Sequence, residues 1–367
     1  VNITHLVENL NRGGLERVVI DLVREQVAEG HRVDVICLFE QGQLAPELEV
    51  PIYAARKGGG FDIGAIRRVR ARLKERGSAV LHTHNAMAHY YGMLAAIGLP
   101  IACRINTRHN MSGLGGGSRR DWLYRRSLRL TDAVVSVSAA AHADLVASQL
   151  MPEGRAIAVP NGIPIHGFSP VSRDAHARLA QEIGVAPDTR IIGAVGRLHP
   201  AKDHANLLRA FRIVADAMPD VVLVIVGGGA LREELEAFAV EQGVAERVRF
   251  LGDRGDVREL LRGFDLLAMS SRTEGYSVVL VEASAVGLPI VATQVGGNAE
   301  IVRDGVSGLI VPPSDPAALA AAMRTLLEDP SRAARMGEAG RAWALSEGSV
   351  ETMARRYETI YRGAGAS

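Results

Sequence analysis

Short apolar runs of strand length recur along this chain near Ile3 to Val7, Val33 to Leu38, Val80 to Thr83, Ile101 to Asn106 and Ala133 to Val137. Between them lie stretches of helical period such as Leu15 to Ala28. This alternation predicts a parallel, doubly wound sheet, because parallel neighbours need a long crossover that a helix supplies. After the turn-rich segment Pro160 to Pro170 the pattern restarts, with strands near Ile191 to Val195, Val221 to Val226, Val248 to Leu251, Leu266 to Met269 and Ile290 to Ala292. The chain therefore reads as α/β in two similar halves, and 367 residues suit two domains of ordinary size. Ligands of such sheets sit beyond the carboxyl ends of the strands, so the loops leaving the strands are where chemistry is expected.

Two such loops in the second half stand out. The segment Gly193 to Leu208, GAVGRLHPAKDHANLL, carries Gly196 and Arg197 at a strand exit and Lys202 at the following helix start. Of 42 basic residues only Lys57, Lys74 and Lys202 are lysine, so a lysine in this segment is notable. An ammonium and a planar guanidinium together suit a diphosphate. Eighty residues on, Glu274, Gly275, Tyr276, Ser277, Val278, Val279, Leu280, Val281 and Glu282 follow an apolar strand. Ser277 reads as an N-cap, with the helix running through Val286. Unpaired N–H groups at such a helix start offer a phosphate a seat on Tyr276 to Val279. Glu282 would then face ribose hydroxyls and Glu274 a hexose. A simple N-cap with solvated glutamates is the competing reading.

These two segments resemble the paired signature of retaining glycosyltransferases of family 4, whose fold is called GT-B. That family carries a glycine-arginine-leucine turn followed by lysine, then a glutamate, seven residues and a second glutamate, and every element stands here in order. The resemblance implies two Rossmann-like doubly wound parallel-sheet domains facing a central crevice: residues 1–165 binding the acceptor, residues 166–348 binding the nucleotide-sugar donor, and residues 349–367 as a helix crossing back. It implies Arg197 and Lys202 on the diphosphate, Glu274 on the donor sugar and Glu282 on the ribose. Gly275, Tyr276, Ser277 and Val278 join the donor site. Looser similarities are Gly13-Gly14, His82-Thr83-His84 and Val159-Pro160-Asn161-Gly162. His109 stands where the family often has a histidine near the donor sugar, an exposed loop histidine being the alternative. Gly13 and Gly14 would admit a phosphate or acceptor close to the backbone, or form a plain turn. Asp253, with Leu251 and Gly252, is expected beside the base, or as a turn aspartate. The loops Asn11 to Gly14, Lys57 to Phe61 and Asn106 to Ser118 are expected to recognise the acceptor, with the glycines Gly58 to Gly60 and Gly113 to Gly117 making mobile loops that close over substrate.

The implied reaction is transfer of a sugar from a nucleotide diphosphosugar to a hydroxyl acceptor, a glycan, glycolipid or lipid-linked intermediate of cell-surface polysaccharide synthesis. No cofactor and no metal are expected. His82 and His84 share a strand face but lack an evident third ligand, so they read as packing or crevice-lining residues. Cys37 and Cys103 lie in apolar runs as free thiols, and neither a spanning segment nor a secretory signal is indicated, so a cytoplasmic protein is expected. Residues 1–160 hold 20 Lys and Arg against 15 Asp and Glu, and the remainder 22 against 26. Within the first half Arg67, Arg68, Arg70, Arg72, Lys74 and Arg76 line a helix with Ile66, Val69 and Leu73 on its apolar side, a pattern compatible with peripheral contact at an anionic membrane. A second cluster, Arg119, Arg120, Arg125, Arg126 and Arg129, interleaves Trp122 and Tyr124. A net charge of +1 and no nucleic-acid motif argue against a nucleic-acid partner. Two rival classes stay open: a non-hydrolysing nucleotide-sugar epimerase, and a non-catalytic sugar-nucleotide-binding protein. A dinucleotide oxidoreductase ranks lower, since Gly227, Gly228 and Gly229 are followed by Arg232 where that fingerprint needs glycine.

Overall fold

The computed structural model describes residues 1–109, 119–151 and 153–364. The chain divides into two compact units, Val1–Ile163 with Val350 onward, and Pro164–Ser349. In the first unit seven strands, β1 (Asn2–Val7), β2 (Arg32–Cys37), β3 (Ile52–Ala54), β4 (Val80–His84), β5 (Cys103–Arg108), β6 (Ala133–Ser136) and β7 (Ala156–Ala158), form one sheet in the order β3-β2-β1-β4-β5-β6-β7. Every pairing is parallel. The strand order reverses direction between β1 and β4, which is where a crevice opens at the carboxyl ends of such a sheet. The helix Val350–Ala364 belongs to this unit and packs on the helix Gly14–Ala28, burying Met353, Ala354 and Tyr357.

The second unit repeats the plan. Its six strands are β8 (Arg190–Val195), β9 (Val221–Val226), β10 (Val248–Gly252), β11 (Leu266–Met269), β12 (Ile290–Thr293) and β13 (Leu309–Val311), ordered β10-β9-β8-β11-β12-β13 and all parallel. The strand β9, VVLVIV, is buried on both faces, as expected of a central parallel strand covered by helices on each side. The helix His204–Ala217 starts where the Asp203 carboxylate accepts from the Asn206 N–H, and it buries Leu207, Leu208, Phe211, Val214 and Ala215.

Three strands have no counterpart among the expected ones: β3, β7 and β13. Each is three residues long and lies at a sheet edge, too short to show a period, with proline beside it at Pro51, Pro160 and Pro312. The strand expected from Ile101 begins instead at Cys103. The Ile101 N–H bonds Leu99 in a turn after Pro100, so that Ile101 is buried without being in the sheet. The basic helix forms as Ile63–Arg76, but its buried face is Ala65, Val69 and Leu73, with Ile66 only partly covered. Much of its charge is used internally. Arg68 and Arg70 donate to backbone carbonyls, including those of Ala55 and Ala95, and Arg72 and Arg76 lie within 4.0 Å of the buried Asp34 carboxylate. The loop after Lys57 is tied down, Lys57 Nζ donating to the Gly58 and Gly60 carbonyls at 2.8 Å. The glycine-rich stretch 113–117 lies outside the described residues.

Two features of this packing predict measurable stability effects. Gly193 on β8 faces the Phe264 ring so closely that a Cβ there would sit 2.0 Å from a ring carbon. Gly193→Ala should therefore cost about 1–3 kcal/mol through overpacking, read as a lower urea midpoint, and Phe264→Leu in the same chain should recover part of the loss. An unchanged midpoint in Gly193→Ala would show that Phe264 yields freely. His89, fully buried, bonds the hydroxyls of Thr83 and Thr131 at 2.9 Å each, and burial lowers its pKa to about 3. Below pH 6.5 the unfolded chain protonates this ring while the folded chain does not, so stability falls as pH drops from 6.5 toward 3. His89→Gln should lower stability at pH 7 but lessen the further loss between pH 7 and pH 5 by about 2 kcal/mol, measured by urea unfolding at both values. Equal pH slopes in both proteins would contradict a neutral buried His89.

Candidate functional site

The expected residues of the second unit converge at the carboxyl ends of β8 and β11, which flank its reversal of strand order. Backbone contacts between loops bring them together. The Leu198 N–H bonds the Gly228 carbonyl at 2.8 Å, the Gly227 N–H bonds Gly252 at 2.8 Å, and the Arg272 N–H bonds Ala201 at 2.8 Å. The Gly297 N–H closes the other side on the Gly275 carbonyl at 2.9 Å. These contacts seat the β8 exit loop against the β9 exit loop on one flank and the β11 exit loop on the other.

At their centre is an ion pair that spacing alone does not reveal. Lys202 Nζ donates to Glu274 Oε1 at 2.5 Å, and Ser271 Oγ donates to the same oxygen at 2.6 Å. The two charged side chains are 25% and 11% exposed, so the pair is substantially withdrawn from water. Lys202 does not open a helix as expected; it ends the short 3-10 turn Pro200–Lys202, and Asp203 caps the helix beyond. Its stem lies over Gly196. Arg197 is exposed at the same strand exit and has no hydrogen-bond or ion-pair partner among the described residues.

The helix Val278–Val286 begins at Ser277, whose backbone is extended as an N-cap requires. Ser277 therefore stands at the expected N-cap position, although its side chain makes no cap hydrogen bond. Tyr276 and Ser277 are buried, and Gly275, Val278 and Glu282 are partly so, with Glu282 in the second turn. Asp253 is exposed, and its carboxylate accepts from the Gly228 N–H at 2.7 Å, so one of its oxygens already serves the loop. The glycines that failed the dinucleotide pattern are structural: Gly227 packs directly on the Gly196 carbonyl. A concavity of about 750 Å³ in this unit, lined by Ser172, His176, Arg190, Arg262 and Asp265, lies at the opposite, amino-terminal ends of the strands and contains none of these residues.

In the first unit Gly13 is the N-cap of the helix Gly14–Ala28, and the Glu16 carboxylate reaches back over it, 2.3 Å from where a Cβ would stand. That helix start is thus already faced by an anion of the chain itself. His109 is not an exposed loop residue. It is 9% exposed, and burial lowers its pKa to about 3. Its Nε2 lies 3.0 Å from His84 Nδ1, and its Nδ1 has no partner among the described residues. His84 and His82 stack with ring centroids 4.3 Å apart, and the third histidine that sequence did not pair with them is His5 on the neighbouring strand β1. All six ring nitrogens of His5, His82 and His84 have hydrogen-bond partners, so a metal ion could enter only by breaking those bonds. Sequence spacing could not have found His5, since it lies 77 positions from His82 and becomes adjacent only through the pairing of β1 with β4. Ser271 and the buried His204, whose pKa burial lowers to about 4, were likewise unmarked.

Comparison with known proteins places these observations in a family. Residues 177–343 match the family described as glycosyl transferases group 1, and residues 12–166 match glycosyltransferase family 4. EpsF of Bacillus subtilis, described as a putative glycosyltransferase, is 31% identical over 301 residues, covering 79% of this chain and 78% of that protein. A GDP-mannose-dependent alpha-(1-6)-phosphatidylinositol monomannoside mannosyltransferase of Mycolicibacterium smegmatis is 38% identical over 216 residues, the match spanning 56% of each chain. Among solved structures, HepE of Anabaena in complex with UDP superposes with a TM-score of 0.87 at 23% identity, over 99% of this chain and 100% of that one. It shares the GT-B fold of two parallel-sheet Rossmann-like domains. Matched by two family models in succession and by a relative aligned over most of both lengths, this chain belongs to the group 1 and family 4 glycosyltransferases.

Proposed function

We propose that this glycosyltransferase moves a sugar from a nucleotide diphosphosugar to a hydroxyl acceptor with retention of anomeric configuration, in the synthesis of a cell-surface glycan or glycolipid. The observation that carries the reading is the convergence of an exposed Arg197, the Lys202 and Glu274 pair and the start of the helix Val278–Val286 at one sheet end. Arg197, Lys202 and the N–H groups of that helix start form the seat of the diphosphate, where negative charge grows as the glycosidic bond breaks. Glu282, one turn into the helix, accepts from ribose hydroxyls. Glu274 accepts from the sugar. Because Lys202 and Glu274 are already in contact, an arriving diphosphate draws the ammonium away and frees carboxylate lone pairs for the sugar hydroxyls. The loops of the first unit hold the acceptor. The acceptor oxygen attacks the anomeric carbon from the face that the phosphate leaves; the leaving phosphate oxygen takes the acceptor proton, and the bonding pair departs with the diphosphate. Support for a nucleotide-sugar donor comes from the relatives: one is named for GDP-mannose and one solved neighbour holds UDP and glucose.

Purified protein given GDP-mannose or UDP-glucose with lipid-linked or glycan acceptors should transfer the sugar, and the anomeric proton coupling of the product should match that of the donor. Inverted product would overturn retention. Conversion of donor to an isomeric nucleotide sugar without acceptor would favour the epimerase. Arg197→Ala should lower kcat about a hundredfold or more, as removal of one preorganised donor does elsewhere, while leaving the urea midpoint nearly unchanged because the side chain is exposed. Near-full turnover in that variant would remove Arg197 from the diphosphate. Chelation with EDTA should leave turnover intact if these cations alone stabilise the leaving group; loss with EDTA and recovery with magnesium or manganese would contradict the metal-free reading.

A further inference from the structure

The orphaned Nδ1 of His109 terminates a hydrogen-bond chain that threads the core of the first unit. His109 Nε2 meets His84 Nδ1 at 3.0 Å, His84 Nε2 meets His5 Nδ1 at 3.0 Å, and His5 Nε2 meets Gln26 Oε1 at 2.8 Å. The other end of the Gln26 amide, Nε2, donates to the Tyr361 hydroxyl at 3.1 Å, and Tyr361 OH lies 2.8 Å from His82 Nδ1. His82 Nε2 continues to Thr107 Oγ1 at 2.8 Å. Gln26 is 1% exposed on the helix Gly14–Ala28, and Tyr361 is on the helix Val350–Ala364.

A neutral imidazole has one N–H and one lone pair, so each link in such a chain fixes the next. Burial holds His5 near pKa 4, His109 near 3 and His84 well below its ordinary value, so all three rings are neutral at pH 7. The Gln26 carbonyl only accepts, so His5 carries its proton on Nε2 and presents a bare Nδ1. His84 must then donate from Nε2 and accept at Nδ1. His109 in turn must donate from Nε2. Its Nδ1 is left as a lone pair, buried and without a partner among the described residues. A buried acceptor of this kind is costly unless a ligand donor fills it. Turning the Gln26 amide over would reverse every bond and make the same atom an N–H donor. The tautomer of His109 is therefore decided by a side chain three hydrogen bonds away.

We propose that Gln26, acting through His5 and His84, is a positioning residue for the transfer reaction, holding His109 as the Nε2–H tautomer so that Nδ1 accepts a hydrogen bond from a substrate hydroxyl. This rests on the transferase reading above. A neutral carboxylic acid, like the amide, can accept from His5 while donating to Tyr361, and an alkyl side chain can do neither, so Gln26→Glu should substitute for glutamine and Gln26→Leu should not.

Nitrogen-15 histidine labelling of the full chain, with His109 assigned by its loss in His109→Gln, reads the tautomer without substrate. The wild type should show a protonated Nε2 and a bare Nδ1 at His109. Gln26→Leu should mix or reverse the two and lower kcat/KM about five- to tenfold, the worth of one hydrogen bond near 1 kcal/mol, with Gln26→Glu restoring both signals and rate. A proton on Nδ1 in the wild type overturns the proposal even if transfer is confirmed. So does an unchanged His109 spectrum in Gln26→Leu, whatever the rate does. The wild-type spectrum alone decides the tautomer if Gln26→Leu does not fold, and a protein that transfers no sugar would refute the transferase reading while leaving the tautomer measurement to stand by itself.

Discussion

The convergence of polar and charged groups at one end of the second unit's sheet depends on backbone approaching backbone more closely than any side chain would allow. A Cβ at Gly227 would lie 2.2 Å from the Gly196 carbonyl oxygen, and one at Gly296 would lie 2.0 Å from that of Glu274. Both glycines have positive φ, +134° and +51°, so they supply a conformation as well as space. Through these two contacts the exit loops of β8 and β9, and those of β11 and β12, close on one another. Arg197, Lys202, Glu274 and the helix start at Ser277 share one sheet end because the loops that carry them can touch. Glycine in those loops is a requirement of the packing, which also explains why Gly227 to Gly229 mimic part of a dinucleotide fingerprint without completing it.

Charge is handled differently in the two units. In the second, Lys202 neutralises Glu274 directly, and Ser271 donates to the same carboxylate oxygen, so neither charge is left alone in a site substantially withdrawn from water. Arg197 stays in water, where holding it ready costs little. In the first unit the chain of polar groups from Thr107 through Gln26 to His109 consists of uncharged rings, hydroxyls and an amide, each bonded to the next, with only His109 Nδ1 left without a partner among the described residues. Neutral chains of this kind avoid desolvation of charge and transmit orientation instead, since every member has a donor side and an acceptor side.

The architecture was largely legible in the sequence, because long apolar strands alternating with amphipathic helices leave a strong periodic signal; the restart after Pro160 marked the second sheet. Edge strands β3, β7 and β13 were illegible for the complementary reason, being short and bordered by proline. At the site, the loops that carry Lys202 and Glu274 were visible as strand exits, whereas their contact was not, since 72 residues separate them. For His109 the polar neighbours Arg108 and Asn110 left an exposed loop histidine as the alternative to a place near the donor sugar, and the pairing of β4 with β5 removes that alternative by setting His109 against His84 and burying it. Ser277 was legible as the N-cap position of its helix, whereas the missing side-chain cap bond was not. Local pattern reports which element a residue is on; burial and partnership are set by strands that meet from distant parts of the chain.

The most direct test of the account is binding of nucleotide sugars to the second unit's strand-end site, followed by thermal shift with UDP-, GDP-, ADP- and dTDP-linked sugars without added metal. A ligand at a hundred times its dissociation constant adds about 2.7 kcal/mol of stability, enough to raise the melting temperature visibly. A shift is expected with one nucleotide class, disappearing in Glu282→Ala at the same concentration. No shift with any sugar nucleotide, or a shift that Glu282→Ala leaves untouched, would contradict the assignment of the ribose and diphosphate to this helix and its loops.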